Sequence, residues 1–178
     1  MCNEFYYMFI IQGDKMNFLL SVITAINIAT SVVTINTATQ KERPKLIDAY
    51  ILAYDAMYTA NTEPPKDYII LDMESIHFTD TTYEERESAI QYFNKKFNKQ
   101  IVNASLFKLQ QIGLADKTGA LKINAHLLMF TNVESIDKGI VAEGYKWVGP
   151  VAAYKYKVSV QYLDNKWQVT GLDSLGVA

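Results

Sequence analysis

The chain has 178 residues, of which 49% are hydrophobic and 20% are charged, and its formal net charge is −2. This length fits one domain plus a targeting segment, and the composition is that of a folded protein with a real core, which excludes a disordered chain. Lysines and arginines never form a run longer than two residues, so the basic stripe of a nucleic-acid-binding protein is missing, and the single cysteine, Cys2, excludes an intrachain disulfide.

The first predicted feature is an uncharged apolar segment of 18 residues at positions 18–35. Its length lies between that of a signal-peptide core and that of a membrane-spanning helix. We therefore expect residues 16–38 to be either a cleaved signal peptide or a retained membrane anchor. A buried first helix of the domain is the alternative, but the segment shows no amphipathic period.

Residues 1–15 are interpreted as an extension upstream of the true start. Gln12 and Gly13 can be encoded by bases that resemble a bacterial ribosome-binding site, and they come just before Met16. Against this interpretation, a start at Met1 keeps Lys15 as the positive charge expected before a signal segment. Either start leaves residues 39–178 as a single extracytoplasmic α+β domain.

A helix and a strand are predicted at the beginning of that domain. The helix spans residues 44–60, where apolar side chains recur at helical spacing after Pro44. Its apolar stripe is wide, so it should lie on a sheet. The strand spans residues 68–78, where β-branched and apolar residues alternate with polar ones.

Two further helices follow. One spans residues 83–97, with Thr81 or Thr82 at capping-box spacing from a glutamate, acidic residues at its start and lysines at its end. The other spans residues 104–112, and Gly113 is well placed to end it.

From Gly119 onward the apolar period changes to two, which predicts strands. A long strand is followed by strands over residues 140–148, 152–162 and 166–172, joined by short turns that include Asp164-Asn165. The inward positions of the last two strands are predicted to be Ala152, Tyr154, Tyr156, Val158, Val160 and Tyr162, and then Trp167 and Val169. Helices followed by consecutive antiparallel strands predict an α+β fold, with the helices packed on a curved antiparallel sheet of four to five strands.

The closing hairpin YKVSVQYLDNKWQVTGL and the stretch that begins SLFKLQQIGLADKTGALKINAHLLMF resemble uncharacterised Gram-positive proteins that are secreted or membrane-anchored. The element order is similar to the cone-shaped fold of nuclear transport factor-like and cystatin-like domains. This resemblance covers roughly residues 83–178 and implies a curved sheet around a helix. It implies no activity for any residue, and it departs from the cone fold in having one early strand instead of a hairpin.

Three ionisable residues are candidates for acid–base chemistry. His126 could serve as a general base at the mouth of the cone, with Asp72 or Glu74 as its carboxylate partner. The plainer interpretations are a half-exposed histidine on a sheet and the solvent face of an edge strand, where charges discourage aggregation.

Aromatic residues are the candidates for a ligand pocket. Tyr50 and Tyr54 on the first helix and Tyr154 and Tyr156 on a strand could line a pocket between helix and sheet, or they could simply fill the core. No metal-ligand spacing, nucleophile elbow or phosphate loop occurs in the sequence, so we expect neither a metal nor a cofactor.

The leading hypothesis is a non-catalytic extracytoplasmic domain that binds an envelope protein, a peptide or a small molecule. The targeting segment and the missing active-site pattern favour it, with membrane contact through residues 16–38 and no nucleic-acid partner. One alternative is a small hydrolase or isomerase with an acid–base pocket in the cone. Another is a homodimeric assembly or structural protein of the envelope.

Overall fold

The computed structural model describes residues 44–149 and 152–177, so the predicted extension 1–15 and the predicted targeting segment 16–38 lie outside the described residues. The described part is α+β, as predicted, and contains helices and strands in mixed order. In chain order they are helix α1 (Leu46–Thr59), strand β1 (Tyr68–Leu71), a 3₁₀ turn (Ile76–Phe78), helix α2 (Tyr83–Phe97), strand β2 (Gln100–Asn103), helix α3 (Leu106–Gln111), and strands β3 (Ala125–Ile136), β4 (Gly139–Gly149), β5 (Ala152–Leu163) and β6 (Lys166–Val177). None of these helices has the length and apolar character needed to cross a membrane.

The three predicted helices are confirmed. Helix α2 has the predicted bounds, because Thr82 and Glu85 form the capping box in full: the Glu85 amide donates to the Thr82 hydroxyl at 3.2 Å, and the Thr82 amide donates to the Glu85 carboxylate at 2.9 Å. Ser105 caps helix α3 by accepting from the Lys108 amide, and Gly113 follows with a φ of +79°.

The sheet has six strands in the order β2-β1-β3-β4-β5-β6, and it is mixed and open. Strands β1, β2 and β3 are parallel to one another, which corrects the prediction of a wholly antiparallel sheet. Helices α2 and α3 make the crossover connections that parallel strands need, so the helices are interleaved with the first strands. The predicted strand 68–78 is shorter than expected, ending at Leu71.

Strands β3 to β6 form the predicted antiparallel series. Asp164 and Asn165 have φ values of +50° and +63°, the backbone conformation of a tight hairpin turn. One further predicted detail is wrong. Strand β3 begins at Ala125 rather than near Gly119. Val169 pairs with the core residue Val160 and so lies on the inward face, but it is 41% exposed instead of buried, because β6 is the edge strand and is only partly covered. The homodimer that the sequence analysis gave as an alternative is not tested by the fold of one chain and stays a prediction.

The main core lies between helix α1 and strands β3 to β6, with helix α2 alongside. Aromatic rings fill its centre: Tyr54 stacks on Phe130 with ring centroids 4.0 Å apart, and Phe78 and Tyr50 pack around them. A second, smaller core covers the other face of β1 and β3 and is formed by Ile70, Ala104, Leu109, Ala115, Ala125 and Leu127. The beginning of β3 is therefore buried on both faces.

Strand β4 has no room for a side chain at Gly144, which lies against the backbone of β3 and against helix α1. A Cβ atom at this position would lie 2.2 Å from the Met129 carbonyl oxygen and 3.1 Å from the Met57 methyl group of α1. We predict that Gly144→Ala lowers the free energy of unfolding by roughly 1–3 kcal/mol, the usual cost of overpacking. Urea denaturation measures the change.

Gly171→Ala is the matched control, because a Cβ there would meet Ser159 at an ordinary 3.5 Å. Equal stability of the two variants would contradict the close approach of helix and sheet at Gly144.

Candidate functional site

Ionisable and aromatic side chains gather under the C-terminal end of helix α1. We call this group the Glu63 cluster and define it as Tyr58, Glu63, His126, Lys146, Tyr154 and Tyr156. Tyr58 is in the last turn of α1, and Glu63 is on the connection to β1. The other four members come from strands β3, β4 and β5, so the cluster joins the helix end to the sheet.

The strand register places these side chains on one face of the sheet. Lys146 pairs with Leu128 on one side and with Tyr154 on the other. Because side chains alternate between faces, His126 shares the face of Leu128, and Tyr156 that of Tyr154. This is the face that α1 covers, since Leu128 and Tyr156 belong to the main core.

Lys146 is a fully buried cation, 1% exposed. Its Nζ donates to the Tyr58 carbonyl oxygen at 2.8 Å and to the Asn61 carbonyl oxygen at 3.1 Å, and it lies 5.3 Å from the centre of the Tyr58 ring. The last carbonyl groups of a helix have no partner within the helix and carry partial negative charge, so the lysine satisfies them. Burial lowers the pKa of Lys146, and the nearby Glu63 carboxylate opposes that shift.

His126 is 2% exposed, and the structure gives neither of its ring nitrogens a hydrogen-bond partner among residues 44–149 and 152–177. Its ring meets the Tyr58 ring edge-on at 5.7 Å. Burial, followed by the charges of Lys146, Lys66 and Lys99, lowers the pKa of His126 to about 4, with Glu63 acting in the opposite direction. The imidazole is therefore neutral at pH 7. The expected half-exposed position is wrong, because α1 covers this face of the sheet.

The two strand tyrosines complete the cluster. Tyr154 is half-buried, and the nearby Glu63 carboxylate raises the pKa of its phenol. Tyr156 is 1% exposed, and its hydroxyl has no partner within the described part of the chain. Burial raises the pKa of Tyr156 as well. The cluster thus holds polar atoms that can donate or accept hydrogen bonds but are not used within the described fold.

The candidate carboxylates Asp72 and Glu74 lie elsewhere. Both follow the carboxyl end of β1, whereas His126 pairs with Ile69 near the opposite end of that strand. Strand β1 is also flanked by β2 and β3, so the edge-strand interpretation is wrong.

Each of these carboxylates has a structural partner. Glu74 accepts from the Ser105 amide at 3.1 Å and from its hydroxyl at 3.0 Å, which fastens the start of α3. Asp72 accepts from the Glu74 amide at 3.2 Å, and burial raises its pKa. The structure does not bring His126, Asp72 and Glu74 together.

The four candidate tyrosines fall into two pairs. Tyr50 and Tyr54 pack with Phe78 and Phe130 in the core, where the Tyr54 hydroxyl donates to the Asp72 carbonyl oxygen at 2.7 Å. Tyr154 and Tyr156 belong to the Glu63 cluster instead. The core interpretation therefore holds for the first pair. Tyr156 is buried in the same core, and Tyr154 is half-buried beside it.

Lys146 and Glu63 were missed by the sequence analysis. Lys146 did carry a signal, because it continues the inward series Ile140, Ala142 and Gly144 on a strand of alternating character. A lysine at an inward position needs a buried partner. Glu63 lies in an irregular connection, where the spacing of residues in the sequence does not predict which side chains are close in the fold.

Within the described ranges, no group of three or more His, Cys, Asp or Glu side chains is arranged to hold a metal ion. Comparison of the chain with protein-family models, curated proteins and solved structures finds no match.

We predict that His126→Leu stabilises the protein at pH 7 by roughly 1–3 kcal/mol, because it removes a buried polar ring without partners and fits a similar volume. The folded-state pKa of His126, about 4, lies below its ordinary value of 6.5. The unfolded chain therefore binds a proton first as the pH falls, and stability is lost between pH 6.5 and about 4.

This loss should be about 3 kcal/mol larger in the unaltered protein than in the His126→Leu variant. Urea denaturation across this pH range measures both effects, with His77→Asn, at a half-buried histidine outside the cluster, as control. A variant that is less stable at pH 7, or that keeps the full pH slope, would show that His126 has a partner.

Proposed function

We propose that this chain is a non-catalytic binding protein whose ligand contacts the Glu63 cluster. The observation that carries the proposal is His126, a buried histidine whose two ring nitrogens lack partners within the described residues. A buried polar group without a hydrogen bond costs free energy, and native proteins rarely keep one without a use. A ligand that forms a hydrogen bond with the ring removes this cost, and the free energy recovered adds to its binding affinity.

The surroundings of His126 suit a ligand site. Binding sites combine aromatic walls with a few convergent polar groups. Here the rings of Tyr58, Tyr154 and Tyr156 provide the walls, and an imidazole, a phenol and a carboxylate provide the polar groups. Glu63 and Tyr154 are only half-buried, so they form the side of the cluster that faces solvent.

Binding fits this geometry better than catalysis does. A catalytic histidine is usually oriented by a second group, and His126 receives no hydrogen bond from the described residues that could do so. Lys146 already donates to two carbonyl oxygens. The enzyme alternative is nevertheless favoured by one observation, the shifted pKa values of His126 and Lys146 in a single cluster. A hydrolase or isomerase built on them would use Glu63 as its carboxylate.

We predict that a fragment library screened by NMR against the full-length protein yields compounds that shift the His126 ring resonances and leave those of His77 unchanged. His77 is the only other histidine in the chain, so it serves as an internal control. The same compounds should lose their effect on thermal stability in His126→Leu.

Two results would contradict the proposal. One is a library in which no compound acts at His126. The other is chemical conversion of a bound compound that the His126→Leu variant no longer performs, which would support the enzyme alternative.

The proposal also includes the fold family of the domain and its location in the cell. A helix packed across a series of antiparallel strands supports a cone-shaped domain of the nuclear transport factor-like or cystatin-like kind, similar to domains of Gram-positive secreted proteins. The uncharged segment at residues 18–35 supports export, with the domain outside the cytoplasm and tethered or released there.

We predict that protease added to intact Gram-positive cells that express the chain removes a C-terminal epitope tag. A cytoplasmic protein expressed in the same cells is the control and should stay intact. A tag that is protected until the cells are lysed would contradict the extracytoplasmic location.

A further inference from the structure

Positive charge converges on His126 from three separate elements. Besides Lys146 on β4, the charges of Lys66 and Lys99 act on the imidazole, and Glu63 is the one carboxylate that acts on it with the opposite sign. The strand register explains this convergence. Strands β1, β2 and β3 are parallel and begin at the same edge of the sheet, with Tyr68 abreast of Gln100 and of Ala125.

Lys99 immediately precedes β2 and Lys66 lies two residues before β1 at that edge, and His126 is the second residue of β3. Both lysines are half-buried rather than free in solvent. Asp67 is a second carboxylate at this edge, but it accepts a hydrogen bond from the Asn124 side chain at 3.0 Å. The groups that face His126 are therefore mainly cationic, and the imidazole itself is neutral.

We infer that the Glu63 cluster binds the anionic end of a small molecule, a carboxylate or a phosphate, next to His126, Lys66 and Lys99. This inference rests on the proposed binding function and narrows it to a ligand class. An oxyanion can accept from the His126 N–H and from the lysine ammonium groups. Hydrogen bonds to an ionised acceptor are about twice as strong as neutral ones, so this class gains most from the site.

Glu63 competes with an anionic ligand for the positively charged groups of the cluster. Its carboxylate acts electrostatically on Tyr154 and on Lys146, as the ligand's own anionic group would. It lies on an irregular connection rather than on a strand, so it can be displaced without breaking the sheet. Removing its charge should therefore strengthen anion binding rather than weaken it.

The test compares benzoate with benzamide, which have the same ring and nearly the same shape but differ in charge. Both are titrated into the full-length protein at constant ionic strength, and binding is followed through the His126 ring resonances. We expect benzoate to bind at least about tenfold more tightly than benzamide, a difference of about 1.4 kcal/mol. Acetate and inorganic phosphate should act at the same resonances.

Three variants make the test specific. We expect the double variant Lys66→Gln with Lys99→Gln to weaken benzoate binding about tenfold, because two charges at the site are lost. Glu63→Gln should tighten it several-fold. The control Lys95→Gln removes an exposed charge from the last turn of α2 and should leave the affinity unchanged. Urea denaturation checks that each variant is folded.

Equal affinity for benzoate and benzamide would overturn the anion inference and leave the proposed binding function standing. If none of the anions moves the His126 resonances at tens of millimolar, the inference also fails. Whether neutral compounds from the fragment library shift the His126 resonances would then test the proposed function separately.

Discussion

The buried ammonium group of Lys146 holds the end of helix α1 against the middle of the sheet. It donates to the carbonyl oxygen of Tyr58, which the helix itself leaves without a partner, and to that of Asn61 just beyond the helix. The negative end of the helix dipole favours a cation at this position. Burying a lysine without such partners costs free energy, so this contact fixes the position of the helix end relative to Lys146. The helix end needs a donor, and the lysine needs acceptors.

This contact has a consequence for the rest of the cluster. By bringing the last turn of α1 over the sheet, it covers His126 with the Tyr58 ring and leaves the imidazole buried among positive charges. It also places the irregular connection that carries Glu63 beside Tyr154. A purely structural core would place carbon-rich side chains without free polar atoms here, as it does one turn earlier on α1, where Tyr54 stacks with Phe78 and Phe130. Polar groups that weaken the core and serve no internal bond are typical of a functional site.

The sequence predicted correctly those helices and turns that are determined by residues within or next to the element itself. Helix α2 was bounded correctly because a capping box and its charge distribution lie within the helix itself, and the final hairpin was found because Asp164-Asn165 adopts the turn that alternating strands require. Strand β2 was missed, since its four residues are mostly half-buried and too few to show a period. The parallel pairing of β1 with β2 and β3 was missed as well, because no local pattern states which strands become neighbours.

The candidate site was only partly predictable for the same reason. His126, Tyr154 and Tyr156 were singled out as residue types, but the burial of His126 depends on α1, which is distant in the chain. Asp72 and Glu74 were grouped with His126 by chemistry alone, and the register of β1 separates them. Glu63 and Lys146 meet only in the folded chain, across a connection with no regular structure.

A direct NMR titration of the His126 ring in the unliganded full-length protein tests the central claim, that this imidazole is buried, neutral and without a partner. The structure requires the ring to stay neutral as the pH falls to about 4. A ring that takes up its proton near the ordinary value of 6.5 would contradict this account, because His126 would then be either open to solvent or paired with an acid.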